Sequence, residues 1–121
     1  MIRMLFTLTM LAASTVQATV VDIAWSQENR FEYKTTLAAG KFVEVCGTLP
    51  NGWEIQWQYE ANAPLDFNIH YHVEKSVIYP AKLAQTAHSD GTLAVTVAQD
   101  YCWMWLNETS APVELKTRLR R

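Results

Sequence analysis

The stretch YCWMWLN, Tyr101 to Asn107, places Tyr101, Trp103 and Trp105 at alternate positions, with Cys102, Met104 and Leu106 between them. In an extended chain successive side chains point to opposite faces, so the three aromatics share one face and the cysteine, methionine and leucine share the other. A strand that is apolar on both faces belongs in the centre of a structure. Large indoles buried in a small domain supply much apolar area per residue, which makes core packing the first role to expect for Trp53, Trp57, Trp103 and Trp105. The competing role is an aromatic platform for a sugar or peptide, which requires some of these four to be exposed.

The same period of two runs outward from this segment. Phe31, Tyr33 and Leu37 alternate with Glu32 and Lys34, and Trp53, Ile55, Trp57 and Tyr59 alternate with Glu54, Gln56, Gln58 and Glu60. Phe67, Ile69, Tyr71 and Val73 alternate with Asn68, His70, His72 and Glu74, while Leu93, Val95 and Val97 precede the central segment and Val113, Leu115 and Leu119 follow it. These are strands with one wet face. Ala39-Gly40, Pro50-Asn51-Gly52, Asn62-Ala63-Pro64, Ser89-Asp90-Gly91 and Ser110-Ala111-Pro112 fall between the runs as turn residues do. The expected fold is all-β, a jelly-roll-like antiparallel β-sandwich of about 6 to 8 strands. Pro80 to Ala87 could form one short helical turn.

The first 18 residues, MIRMLFTLTMLAASTVQA, combine an early cation at Arg3, an apolar run and small residues at Val16 and Ala18, which is the pattern of a secretory signal peptide. The run is broken by Thr7, Thr9 and Ser14 and is shorter than the about 20 apolar residues that a membrane span needs. Residues 19–121 then make one domain's worth of chain, exported to the periplasm or outside the cell. Without the leader, 9 basic residues face 12 acidic ones, a net charge near −3 that does not suggest a nucleic-acid partner. Two cysteines, Cys46 and Cys102, in an exported chain point to a disulfide. Closing a loop of about 57 residues would stabilise by about 4 kcal/mol on the chain-entropy estimate.

The ordered set Gly40-Lys41, Trp53-x-Ile55-x-Trp57-x-Tyr59, Asp66-Phe67-x-Ile69-x-Tyr71, Asp90-Gly91-Thr92-Leu93 and Tyr101-x-Trp103-x-Trp105-x-Asn107 resembles the GOLD domain, the β-sandwich of the p24 cargo receptors and of Golgi and lipid-transfer proteins. It spans about residues 40 to 121, and Asp100 stands where that family often has glycine. The resemblance implies a GOLD-like sandwich and a habit of binding other proteins or peptides, and it does not carry cargo sorting with it.

Chemical motifs are sparse. His70 and His72 sit on one strand face with Glu74 next along it, and His88 lies in an expected loop; two imidazoles and a carboxylate suit zinc or copper, so a small metal-binding protein is the second functional expectation. Histidines on an ordinary polar face are the simpler account. No serine stands in a nucleophile-elbow pattern and no carboxylate pair can be assigned to acid–base work, so no catalytic residue and no cofactor are expected. Four cations in LKTRLRR, Leu115 to Arg121, would suit an acidic partner or a terminal edge strand that discourages aggregation. Asn107-Glu108-Thr109 fits the glycosylation acceptor pattern. The sequence thus points to a secreted or periplasmic non-catalytic interaction module.

Overall fold

The computed structural model describes residues 19–121; the expected signal peptide, residues 1–18, lies outside the described residues. Seven strands follow one another: β1 (Thr19–Asp22), β2 (Arg30–Leu37), β3 (Phe42–Leu49), β4 (Glu54–Val73), β5 (Ser76–Ala94), β6 (Gln99–Leu106) and β7 (Val113–Arg120). They form a single sheet in the order β1-β3-β6-β4-β7-β2, with β5 paired to β4. The fold is all-β and sandwich-like. One pairing departs from the antiparallel expectation: β1 runs parallel to β3, with Val20 opposite Glu44.

The 20-residue β4 holds the two walls together. Gln56 to Ala61 pair with β7, whereas Asp66 to His70 pair with β6, so the strand leaves one wall and enters the other. Asn62-Ala63-Pro64, expected as a turn, is the corner between them, where the register against β5 shifts between Glu60 and Leu65. Proline is tolerated at such an irregularity because no ladder hydrogen bond is demanded of it. Ser89-Asp90-Gly91 is likewise not a turn but part of β5, and Pro80 to Ala87 is strand rather than helix. Gly91 lies opposite Trp57, and a Cβ there would sit 2.6 Å from Trp57 Cζ2; the glycine is needed for close approach, not for a bend.

Two strands lie outside the runs that alternation picked out. β3 carries Val43 and Val45 inward and Glu44 and Cys46 outward, and β1 is a short edge added by parallel pairing. β7, expected at an edge, is paired on both sides by β2 and β4, so its cations do not guard an open edge. Lys116, Arg118 and Arg120 instead stand on the outer face beside Lys34, Glu32 and Arg30 of β2. Arg118 bonds Glu32 at 3.1 Å, and Arg121 lies over the Trp53 ring at 4.1 Å from its centroid.

The core is aromatic. Trp103 and Trp105 are fully buried and Trp57 is 8% exposed, while Trp53 is only partly buried and packs edge-on against Trp25. Across the sandwich Tyr59 meets Phe67 at 4.8 Å and Trp105 at 5.7 Å between ring centroids, the tilted and edge-on geometries that ring quadrupoles prefer. Burial pushes the Tyr59 hydroxyl up to about 12. Thus three of the four tryptophans named as platform candidates form the inner layer, where no ligand stacks on them.

Asn107 ends β6 with its side chain wholly buried. Its Nδ2 donates to the carbonyls of Leu37, Ala38 and Ala111, and its Oδ1 accepts from the Thr109 amide and hydroxyl. One amide side chain therefore ties the β2–β3 turn to the loop before β7. The asparagine of the acceptor-like Asn-Glu-Thr is a structural clamp, its side chain inaccessible in the folded chain, although Glu108 is exposed.

Candidate interaction surface and the sites around it

The β4–β5 hairpin projects its far end beyond the strands that flank it: past His70, β4 pairs only with β5. Glu74 turns the chain with φ 55°, and Val73 faces Ser76 across the turn. Here the exposure pattern breaks the usual rule. Val73, Val77, Ile78 and Tyr79 are all among the exposed large hydrophobics, between 37% and 46% accessible, and they fall within seven residues. Tyr71 is opposite Ile78 and His72 opposite Val77, so Val73 and Ile78 lie on one face of the hairpin and Val77 on the other, and the four surround its tip, which makes the tip a candidate interaction site. Lys82 lies over the Tyr79 ring at 4.8 Å and lends the patch a positive rim.

The histidines occupy the adjoining outer face. His70 is buried, with its Nε2 3.2 Å from Glu44 Oε1 and its Nδ1 2.7 Å from Asn68 Oδ1. Both ring nitrogens thus face oxygens: Nδ1–H donates to Asn68 Oδ1, and a proton on Nε2 completes an ion pair with Glu44, whereas without that proton Nε2 and the carboxylate are two acceptors in need of a shared cation. Burial holds His70 below the usual imidazole range; the Glu44 carboxylate pushes it back up and His72 adds to the lowering. His72 is exposed, its ring 5.3 Å from that of His70. The structure does not join the four expected metal ligands. Glu74 sits in the hairpin turn, and His88 pairs opposite Glu60 on the other half of the hairpin. Among the described residues the group able to converge on one ion is Glu44, His70 and Cys102, whose candidate atoms lie within 4.8 Å of one another. Sequence reading missed Glu44, although its place two residues before Cys46 on an alternating strand puts both on one face.

Cys46 and Cys102 are bonded to each other across β3 and β6, where they are direct register partners. The sequence-distant carboxyls Asp66 and Glu108 also meet. Asp66 Oδ1 accepts from the Gln85 amide at 3.0 Å and from Gln85 Nε2 at 2.9 Å, which lowers its pKa, while a hydrogen bond to Asp66 raises that of Glu108. Both are at the surface, and Asp66 is engaged by Gln85.

No protein-family model and no curated protein matches this sequence. Solved structures do. PliG of Aeromonas hydrophila, a periplasmic lysozyme inhibitor of g-type lysozyme, aligns with a TM-score of 0.60 at 9% identity over 86% of this chain and 96% of its own. PliG of Salmonella Typhimurium, also a periplasmic lysozyme inhibitor of g-type lysozyme, aligns with a TM-score of 0.60 at 10% identity over 86% of this chain and 98% of its own. The pre-peptidase C-terminal domain of a Bacillus anthracis collagenase aligns with a TM-score of 0.59 at 8% identity over 90% and 100%. At these identities the likeness is one of fold: this chain is similar in architecture to small β-sandwich domains found in inhibitors and beside proteases.

Proposed function

We propose that this chain is an exported, non-catalytic protein-binding module, GOLD-like in the order of its strand motifs, that grips its partner with the tip of the β4–β5 hairpin. The observation that carries this reading is the run of exposed Val73, Val77, Ile78 and Tyr79 on a projecting element; the other exposed large hydrophobics, Val20 and Val97, stand singly. The disulfide fits export to an oxidising compartment. The partner is a protein or peptide with a matching apolar pocket. The g-type lysozyme is the first to test, because two proteins of similar fold inhibit it.

The test compares the wild-type protein with a Val77→Ser, Ile78→Ser double variant. Both residues are exposed, so the variant should melt within a few degrees of wild type. Immobilised wild type should retain a partner from the exported proteins of its source, or inhibit g-type lysozyme, and the variant should do neither. Equal retention or equal inhibition by both proteins, or neither retention nor inhibition by wild type, would remove the reading.

A further inference from the structure

On the outer face of β3, β6 and β4 the register places three residues in one row: Cys46 is opposite Cys102, and Cys102 is opposite His70. Glu44, one row along on β3, reaches across to bring Oε1 within 3.2 Å of His70 Nε2. Two atoms bound at about 2.0 Å to a tetrahedral zinc lie about 3.3 Å apart, so the nitrogen and the carboxylate oxygen already stand at the separation of two zinc ligands. The Asn68 contact to Nδ1 supplies the outer hydrogen bond that fixes a ligating imidazole with its free lone pair forward. What the pair lacks is the other half of a tetrahedron. Cys102 Sγ stands within 4.8 Å of both ligand atoms and Cys46 Sγ is bonded to it, and a disulfide sulfur is neutral and not a thiolate ligand.

We propose that the Cys46–Cys102 disulfide masks a zinc site, and that its reduction frees two thiolates which, with His70 Nε2 and the Glu44 carboxylate, bind one Zn²⁺. The chemistry balances. A two-electron reductant breaks the sulfur–sulfur bond, either a dithiol, which passes its two hydrogens to the sulfurs and becomes a disulfide, or a phosphine, which takes the oxygen of a water to become its oxide while that water's two protons go to the thiols. The two thiols then lose one proton each to solvent as the zinc–sulfur bonds form. Side-chain rotation must part the sulfurs to about 3.8 Å, the separation of two thiolates each about 2.3 Å from a tetrahedral ion. Disulfide and zinc are then alternative closures of the same pair of strands, one for oxidising and one for reducing surroundings. The set shares only His70 with the histidine group expected from sequence, and it does not depend on the partner-binding reading.

The probe is the metal alone. Purified protein, oxidised or reduced with a phosphine, is titrated with Zn²⁺ against a chromophoric chelator and with Co²⁺ as a spectroscopic stand-in. Reduced wild type should take up one ion per chain at least about 100-fold more tightly than oxidised protein, with thiolate-to-cobalt charge transfer in the near ultraviolet. His70→Gln and Glu44→Gln, reduced in the same way, should each bind at least about 10-fold more weakly than reduced wild type. Stoichiometric zinc should raise the melting temperature of the reduced protein and leave that of the oxidised protein unchanged. Equal affinity of the oxidised and reduced forms overturns the proposal. So does full affinity in both reduced variants, which would leave the cysteines binding without the sheet's help, and so does a reduced chain that is unfolded and stays unfolded when zinc is added.

Discussion

Substituting Gly91 by alanine tests the central departure of the fold from a local reading of the chain. In β5 this residue faces Trp57, and an added Cβ would approach Cζ2 at 2.6 Å, Cε2 at 2.9 Å and Nε1 at 3.2 Å. The first two distances cannot be tolerated, so the indole or the strand must move. Overpacking of this kind costs about 1–3 kcal/mol, partly offset by the about 0.4–1 kcal/mol that alanine gains from a less flexible unfolded chain. The net expectation is a loss of about 1–2 kcal/mol, read by urea unfolding, and a fall in melting temperature of roughly 5–15 °C for a domain of this size. The decisive measurement is the same substitution in a Trp57→Leu background. Trp57→Leu alone is destabilising, by somewhat less than the about 3–5 kcal/mol of a buried Trp→Ala. With the ring gone, however, Gly91→Ala should become neutral or stabilising by up to about 1 kcal/mol, a coupling of about 1–3 kcal/mol between the two positions. A turn glycine would behave otherwise, because its penalty would come from its own backbone and would persist whatever stood at 57. Equal penalties in the two backgrounds would refute the continuous β5 and the packing of Trp57 beneath it.

Trp105→Ala, which empties a fully buried site between Tyr59 and Phe67, should cost about 3–5 kcal/mol in urea unfolding; a variant with unchanged stability would return the indole to the role of exposed platform. Asn107→Ala removes the side-chain bonds to the carbonyls of Leu37, Ala38 and Ala111, leaves the Thr109 amide without its acceptor and should cost about 2–4 kcal/mol, and protein made in a glycosylating host should carry no glycan at Asn107 by mass spectrometry. His70 has a pKa below its unfolded value of about 6.5, so the unfolded chain binds the extra proton first and stability should decline as pH falls below about 6.5, levelling once the folded state also protonates. His70→Gln should flatten that part of the stability–pH curve, and an unchanged slope between pH 5 and 7 would show that the dependence arises elsewhere.

The alternation of WEIQWQYE, DFNIHYHV and YCWMWLN by itself determined an all-β chain and told which side chains share a face, because the two-residue period of a strand is a local property of the backbone. It also brought forward the two cysteines, whose pairing needs only an oxidising compartment and a small domain. Composition and motif spacing offered no catalytic set, and they favoured core over platform for the tryptophans without settling which of the four are buried. The tertiary structure decided what period alone cannot carry. Whether Asn62-Ala63-Pro64 ends a strand or bends one depends on which neighbours pair on either side, and those are β7 and β6, remote in sequence. The place of β7 in the interior of the sheet, the parallel seat of β1 and the meeting of Glu44 with His70 across an intervening strand are all long-range pairings. A strand advertises its faces in its own residues, but its partners are chosen by the register that buries the most apolar surface over the whole chain, and that choice exists only once the chain has folded.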